Sequence, residues 1–334
     1  MSRCASSVMF GFDFQENAAI VLMIENMEEM ESLKVEGEED IEIRLTDGTY
    51  VLSQAKSIVK ASTDFDNVRA KAKKAMSSLS EAASRVKARE LVYITNSSNP
   101  FNEELSKTMF IGPSRVKYDY LPETTKQLID GWLAQIERPL DTSRLKIRVL
   151  PFETDDDEQR YKDVLQVISD FIGKINLSSV DGLRRQLHDV WLSMLDRNGT
   201  KSNKAVRLKK KDVVWPIIVF VTGRGRLDRN SLFCADLDDG EFEEIEHIYG
   251  KLIENYFERY DLVVKVITDF RDGGYTGRKR IESFIIDHWT DYVNELGLNS
   301  ITDESVRSSL TKIVLYSMLT KRFDINKIKL ALKL

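Results

Sequence analysis

The sequence is poor in the side chains that bind transition metals or form covalent cross-links. Among 334 residues there are two cysteines, Cys4 and Cys234, and three histidines, and none of them has a partner at a spacing typical of metal ligands. This scarcity argues against structural zinc, a disulfide framework and haem attachment. Because His188, His247 and His288 all lie in the second half, any chemistry in the first half must use carboxylates, amides and lysines.

Long apolar runs and an excess of positive charge are also missing. The longest apolar run, residues 213–221, is far shorter than the roughly 20 residues that cross a bilayer, so we predict no membrane span. The N-terminus lacks an apolar segment followed by small cleavage-site residues, which argues against a secretory signal and predicts a cytoplasmic protein. With a net charge of −5, any affinity for nucleic acid must come from local surfaces.

The chain is long enough for two domains, each with its own core. Hydrophobic periodicity in the first part indicates helix, two strands, helix, strand, helix and strand, an order that predicts an α/β domain with a mixed sheet between helices. The acidic stretch at residues 151–160 breaks this periodicity. We therefore predict domains over residues 1–155 and 156–334, the second mainly α-helical.

Four segments carry the most specific structural predictions. Apolar residues at helical spacing predict an opening helix over residues 14–30, and a second pattern predicts a long amphipathic helix over residues 65–89. Alternating residues on both sides of Asp47 and Gly48 predict a hairpin, because Asp-Gly readily supplies the positive φ of a tight turn. An internal proline predicts that residues 213–223 form an edge strand or an interrupted strand.

The hairpin carries polar side chains suited to a hard divalent cation. A metal-dependent nuclease needs oxygen ligands, an attacking water and a positive group that orients this water. Asp40, the side-chain carbonyl of Gln54, and Lys56 supply these parts if they share one face of the hairpin. They do so when the turn holds an odd number of residues, for instance three, which pairs Asp40 with Gln54. A turn of two residues would place Asp40 opposite Ala55, on the other face.

The same residues also have an ordinary structural explanation. Acidic residues beside a hairpin are usually solvated, and we expect this of Glu38, Glu39 and Glu42. The long helix carries basic side chains that can contact phosphates, although such a face of an amphipathic helix is more often simply solvated. These side chains are Arg69, Lys71, Lys73 and Lys74.

Residues 11–56 resemble a known nuclease family. The stretches GFDFQENAAIVLMI, VEGEEDIEI and SQAKS are similar to the DNA endonuclease domain of bacterial anti-phage effectors. This group includes the CD-NTase-associated nucleases and the Lamassu nuclease subunits, within the PD-(D/E)xK superfamily. The resemblance covers most of the predicted first domain and implies a restriction-endonuclease-like mixed sheet. It also implies Mg²⁺-dependent cleavage of double-stranded DNA with little sequence specificity, with Mn²⁺ able to substitute.

The resemblance also implies which residues hold the metal. Asp40 corresponds to the principal ligand, and the side-chain carbonyl of Gln54 and the main-chain carbonyl of Ala55 complete the set. Glu36 corresponds to a second acidic ligand, bound directly or through water. Because Gln54 stands where the superfamily usually has an acid, the metal site has one negative charge fewer, which should weaken cation binding.

Two further residues match the family's motifs. The resemblance implies that Lys56 orients the attacking water or helps to deprotonate it. Gln15, in the first helix, would position the metal ligands without binding the metal itself, or it is simply a polar residue of that helix.

The helical second half resembles a control element. It is shorter than the nucleotide-sensing domain of the CD-NTase-associated nucleases and looks more like the C-terminal domain of effectors in three-component ABC-ATPase systems. That resemblance implies docking onto an SMC-like ATPase with a third small subunit, and a homo-oligomer, tetramer or higher, when active. Control by a cyclic nucleotide remains the alternative. Two other functions stay open: a non-catalytic assembly subunit on a nuclease-like scaffold, and an RNase or single-strand nuclease with the same core.

Overall fold

The computed structural model describes residues 5–59, 67–153, 156–177, 182–223, 229, 232–234, 237–254 and 260–334. The described residues form two compact units, the first within Met1–Ser178 and Gly182–Lys210 and the second within Lys211–Leu334. The first unit contains a mixed sheet flanked by helices, and the second is helical. The predicted α/β class, with a mainly helical C-terminal region, is confirmed.

The first unit is built on one sheet of seven strands in the order β5-β6-β4-β3-β2-β1-β7. The strands are β1 (Met30–Val35), β2 (Ile41–Leu45), β3 (Tyr50–Lys56), β4 (Ala88–Thr95), β5 (Ser114–Lys117), β6 (Leu145–Val149) and β7 (Leu208–Lys209). Strands β3, β4 and β6 are mutually parallel, and the other pairings are antiparallel.

The helices of the first unit are α1 (Ala5–Asn26), α2 (Val68–Ala83), α3 (Glu104–Lys107), α4 (Glu123–Leu133), α5 (Asp157–Arg160), α6 (Lys162–Lys174) and α7 (Leu183–Gly199). Those of the second are α8 (Lys210–Gly223), α9 (Asp239–Glu254), α10 (Tyr260–Asp272), α11 (Arg280–Tyr292), α12 (Glu304–Thr320) and α13 (Arg322–Leu332). Short 3₁₀ helices occupy Thr108–Phe110, Tyr118–Tyr120, Thr142–Arg144 and Leu298–Ser300.

The two faces of the hairpin β2–β3 pack differently. Leu52 joins an apolar cluster with α2, which includes Met76 and Leu79. Side chains alternate along a strand, so the neighbouring positions point to the opposite face. The residues of this opposite face are all buried: Ile41, Ile43, Val51, Ser53 and Ala55.

The opening helix is shorter at its C-terminal end than the prediction over residues 14–30. Helix α1 ends at Asn26, whose side-chain amide donates to the Leu22 carbonyl (2.8 Å), and Met30 begins strand β1. Both Met27 and Met30 are buried, so they continued the apolar stripe although they belong to a turn and a strand. Helix α2 likewise ends at Ala83, inside the range 65–89, because β4 begins at Ala88.

Residues 213–223 form the end of helix α8, so the prediction of an edge or interrupted strand is wrong. Pro216 lies inside this helix. Residues on every side of the helix are buried, including Val213, Val214 and Ile217. A short, continuously apolar run has no periodicity that separates a buried strand from a buried helix. Strands β1, β5 and β7 were not predicted, and β5 and β7 have four and two residues.

The first unit extends to Lys210, past the predicted boundary between residues 155 and 156. Helices α6 and α7 both pack against α1, and β7 pairs with β1. Leu187 and Trp191 of α7 are fully buried. The apolar surface of α1 therefore needs these later helices as a cover.

One described helical segment, Ser6–Asn26, is long and apolar enough to cross a membrane by length and composition alone. Half of its most apolar stretch is buried inside the protein. This segment belongs to α1, which packs against β1, β2, β3, α6 and α7.

Candidate functional site

The hairpin turn has the odd number of residues that the predicted site requires. Ile41 pairs with Ser53, and the Leu45 N–H donates to the Thr49 carbonyl (2.9 Å). The turn between Leu45 and Thr49 therefore consists of the three residues 46–48, whose glycine has a φ of 79°. Only glycine adopts this left-handed conformation without strain. Continuing the register by one pair places Asp40 opposite Gln54, which confirms the predicted geometry of the hairpin.

Three donors from the end of β3 converge on one oxygen of Asp40. The Gln54 side-chain amide, the Ala55 main-chain N–H (2.9 Å) and Lys56 Nζ (3.4 Å) all contact Asp40 Oδ2. The side chains of Asp40 and Lys56 are 21% and 22% exposed, so the carboxylate is reachable from solvent but mostly enclosed. The structure thus brings Asp40, Gln54 and Lys56 together as the sequence predicts.

Gln15 contacts both ends of the loop that leads into β2. Gln15 Nε2, from α1, donates to Glu36 Oε1 (2.7 Å) and to the Asp40 main-chain carbonyl (3.0 Å). Glu36 has a φ of 55°, a left-handed conformation that is costly for a residue with a side chain. Gln15 therefore ties both ends of the loop 36–40 to α1, and it contacts the main chain of Asp40, not its carboxylate.

The oxygen atoms around Asp40 can serve as ligands of a hard divalent cation if the Gln54 amide group rotates. Nε2 of Gln54 faces the Asp40 carboxylate. A rotation about the last side-chain bond would present the amide oxygen instead. The N–H and C=O of a strand residue point toward the same neighbour, so the Ala55 carbonyl also faces the side of Asp40. Carboxylate, amide and main-chain oxygens are the ligands that Mg²⁺ and Mn²⁺ accept.

A cation at this place would depend on those neutral oxygens. Within the described ranges, no group of three or more His, Cys, Asp or Glu side chains is arranged to hold a metal ion. The predicted ligand set contains only two such side chains, Asp40 and Glu36, so this finding does not test it, and metal binding stays a prediction.

A cavity of about 190 Å³ opens beside Asp40, between the loop 36–40 and α2. Its walls carry far more negative than positive charge, since Arg85 is its one basic residue. The acidic residues are Glu36, Glu38, Glu39, Asp40 and Glu81. Such a surface attracts a cation and repels a phosphate until a cation neutralises it.

Glu39 and Glu42 are buried, at 6% and 5% exposure, so the prediction that they are solvated is wrong. Only Glu38 of the three is exposed, and it forms ion pairs with Arg85 and Lys204. Burial, with Asp40 beside it, raises the pKa of Glu39 to about 8. Glu39 is thus a second carboxyl next to Asp40 that the sequence pattern did not single out.

Glu42 holds the loop 36–40 in place through hydrogen bonds to its main chain. Its Oε1 accepts hydrogen bonds from the main-chain N–H groups of Glu38 and Glu39, the latter at 3.1 Å. Its Oε2 accepts a hydrogen bond from the Arg207 guanidinium (3.0 Å), which also donates to Ser32 Oγ (3.1 Å). The buried charge of Glu42 therefore has both main-chain donors and a cation as partners.

Asn198, at the end of α7, contacts the residues just before the loop 36–40. Its Oδ1 accepts a hydrogen bond from the Val35 N–H (3.2 Å), and its main-chain carbonyl accepts one from Lys34 Nζ (2.9 Å). Lys34 is fully buried, and burial lowers the pKa of its ammonium group. Asn198 and Arg207 lie more than 160 positions from their partners, so no local pattern in the sequence identifies them.

The four basic residues considered for DNA contact have different surroundings. Arg69 donates to the main-chain carbonyls of Phe101 and Asn102 (both 2.9 Å), and Lys73 donates to Gln135 Oε1 (2.8 Å). Lys71 donates to the main-chain carbonyl of Ser57, directly after Lys56, whereas Lys74 is exposed. Arg69 and Lys71 therefore hold neighbouring loops in place, and a role of the four in DNA binding stays a prediction.

Comparison with known proteins adds no relative. No protein family, no curated protein and no solved structure matches this chain. The function must therefore be argued from the chemistry and geometry of the site itself.

Proposed function

We propose that the first unit is a Mg²⁺-dependent endonuclease that hydrolyses phosphodiester bonds of double-stranded DNA with little sequence specificity. The observation that carries the proposal is the register of the hairpin. It places Asp40 opposite Gln54 and brings Lys56 Nζ to 3.4 Å from the same carboxylate. A register shifted by one residue would have sent Asp40 to the apolar face.

In this proposal Asp40, the Gln54 carbonyl and the Ala55 carbonyl hold the cation, with Glu36 as a second acidic ligand, bound directly or through water. When bound, the cation supplies a positive charge that stabilises the negative charge developing on the phosphate and activates a bound water. Lys56 lies beside the ligand carboxylate, where it orients that water and balances the charge of the attacked phosphate. Glu42 and Gln15 keep the loop 36–40 rigid, which fixes the position of Asp40.

The choice of DNA and the biological role come from the resemblance of residues 11–56 to anti-phage effector nucleases. The likeness of the helical second half to the C-terminal domain of effectors in three-component ABC-ATPase systems adds that the second unit docks onto an SMC-like ATPase and a third small subunit, which hold the nuclease in check. Activation then proceeds by oligomerisation of the chain. A nuclease with little sequence preference needs such restraint to spare the DNA of its own cell.

The catalytic assignment is tested by plasmid cleavage in Mg²⁺ or Mn²⁺, at protein concentrations high enough for oligomers, with and without partner proteins. Lys56→Ala should lower the rate by at least about a hundredfold, as expected for loss of a group that positions or deprotonates water. Lys117→Ala is the matched control, since Lys117 is an exposed lysine in strand β5 of the same sheet. Equal cleavage by wild type and Lys56→Ala, or no cleavage by wild type under any condition, would refute the proposal.

A direct measurement of cation binding separates the metal site from the chemistry. Asp40→Asn keeps the shape of the side chain but removes its charge, so calorimetry should show weaker Mn²⁺ binding than in wild type. A panel of double-stranded DNA, single-stranded DNA and RNA then identifies the substrate. Preferential cleavage of RNA or single-stranded DNA would change the proposed substrate but would not contradict the proposed metal site.

A further inference from the structure

The second unit contains a cleft of about 350 Å³ bordered by α10, α11 and α13. Arg271, Arg280, Arg322 and Lys329 line it, and its lining, as far as the structure describes it, includes no carboxylate. Cavities of this size commonly accept small organic ligands. A concave surface that carries four positive charges and no negative one favours an anionic ligand.

Among the residues that the structure describes, most of these positive charges have no acidic partner. Arg271 is paired with Asp272 (2.9 Å), but within the described part of the chain neither Arg280 nor Lys329 has an acidic partner. Arg322 donates to the main-chain carbonyl of Leu319. Burial, together with the neighbouring Arg280, lowers the pKa of Arg322. A bound anion would relieve this repulsion between like charges.

The cleft also presents aromatic surface beside the cations. The Arg322 guanidinium lies 4.4 Å from the ring centre of Phe323 and 5.4 Å from that of Phe270. Phe323 is 63% exposed, which is unusual for so large an apolar side chain. An exposed ring beside clustered cations offers one surface for stacking and another for phosphate oxygens.

We infer that this cleft binds a free nucleotide, with its phosphates against Arg280, Arg322 and Lys329 and its base against Phe323. Inorganic phosphate alone would leave the exposed ring unused, and a duplex is too wide to enter a cavity of about 350 Å³. The inference concerns the second unit alone and does not depend on the nuclease activity proposed for the first.

The binding is tested with the full chain by isothermal titration calorimetry, using ATP, AMP and inorganic pyrophosphate as probes. EDTA in the buffer removes divalent cations, so the candidate metal site of the first unit contributes no heat. Arg280→Gln and Lys329→Gln should each weaken ATP binding by about tenfold or more, because each removes a charge-assisted hydrogen bond. Lys327→Gln is the matched control on the same helix, since Lys327 is next to Asp324 (3.9 Å) and does not line the cleft.

Phe323→Leu tests the place of the base. It should weaken ATP and AMP binding and leave the affinity for pyrophosphate unchanged, because pyrophosphate has no ring to stack. Circular dichroism of each variant verifies that the helices remain folded. The expected result is loss of affinity in Arg280→Gln and Lys329→Gln with wild-type affinity in Lys327→Gln.

Three results would overturn the inference. The first is no binding of ATP, AMP or pyrophosphate up to millimolar concentration. The second is an equal affinity of Arg280→Gln, Lys329→Gln and Lys327→Gln for ATP. The third is binding of a short single-stranded oligonucleotide that is tighter than that of ATP and is weakened by Arg280→Gln and Lys329→Gln, which would make the cleft a nucleic-acid surface.

Discussion

Two carboxylates, Asp40 at the end of the loop 36–40 and Glu42 just after it in β2, are each held by neutral N–H donors and by one cation. Asp40 receives three donors from β3, and Glu42 receives two main-chain N–H groups and the Arg207 guanidinium. A buried carboxylate is tolerated when its oxygens are bonded in this way. Removing one hydrogen-bond partner of Glu42 should therefore lower the free energy of unfolding strongly.

Arg207→Ala should destabilise the protein by about 3 kcal/mol, because it leaves the buried Glu42 without its cation. Arg185→Ala is the control, since the Arg185–Glu158 pair (2.7 Å) is exposed and such pairs contribute less than about 1 kcal/mol. Both are measured by urea denaturation. The double variant Arg207→Ala/Glu42→Gln should lose less than the sum of the single losses. Equal effects of Arg207→Ala and Arg185→Ala would contradict this account.

Glu16 should make stability depend on pH. Burial, with Asp196 and Asp13 nearby, raises its pKa to about 7 from an ordinary value of 4.5. The folded state thus binds this proton more tightly than the unfolded chain, so the contribution is complete below pH 4.5 and is lost as pH rises through about 7.

The matched variant for this effect is Glu16→Gln, which carries no titrating proton. Between about pH 5 and pH 8, wild type should lose on the order of 1–2 kcal/mol relative to Glu16→Gln. Urea denaturation at a series of pH values measures the difference. A difference that stays constant over this range would show that Glu16 has an ordinary pKa.

The hairpin turn is the element on which the candidate site depends. Its three residues set the register, and Gly48 supplies the left-handed conformation that closes such a turn. Gly131 of helix α4 offers a comparison, because it lies in an ordinary helical position. A Cβ added at either glycine would meet no atom within 4 Å, so only the backbone conformation distinguishes the two sites.

Alanine at these two glycines should therefore have opposite effects. Gly48→Ala should destabilise the protein by about 1 kcal/mol, because its φ of 79° is strained for any residue with a Cβ. Gly131→Ala should stabilise it by about 0.5–1 kcal/mol, since alanine favours the helix. Thermal unfolding of both variants gives the signs. A stabilising Gly48→Ala would mean that the turn adopts another conformation.

The division into two units has a direct consequence for fragments of the chain. Helices α6 and α7 cover α1, and the His188 ring is bonded to Asn17 Oδ1 (2.8 Å). A fragment that ends at residue 155 would expose this apolar surface, whereas one that ends at residue 210 keeps it covered.

Fragment 1–210 should therefore unfold in one cooperative transition, and fragment 1–155 should aggregate or unfold at a clearly lower temperature. Thermal denaturation followed by circular dichroism compares the two. Equal midpoints would show that the first domain is complete at residue 155.

Local chemistry explains why the hairpin was predictable and α8 was not. Asp47 and Gly48 predict a turn by themselves, and alternation then fixes which side chains share a face once the number of turn residues is known. Residues 213–221 are apolar at nearly every position, so their hydrophobic pattern has no period that distinguishes a helix from a strand. They form a helix that is buried by packing within the second unit. The burial of Glu39 and Glu42 could not be predicted either, because acidic residues beside a hairpin are usually solvated, and the Arg207 partner of Glu42 lies far away in the chain.

The sequence alone determined the α/β class and the presence of a hairpin at Asp47 and Gly48, because periodicity and turn chemistry are local properties. It left the register open, and the structure decided for the turn that groups Asp40, Gln54 and Lys56. Only the tertiary structure decided where the first unit ends and which groups hold the loop 36–40 from outside. Asn198 and Arg207 reach that loop from the far end of the first unit. Such contacts depend on how helices and strands pack, and packing joins residues whose separation leaves no periodic signal.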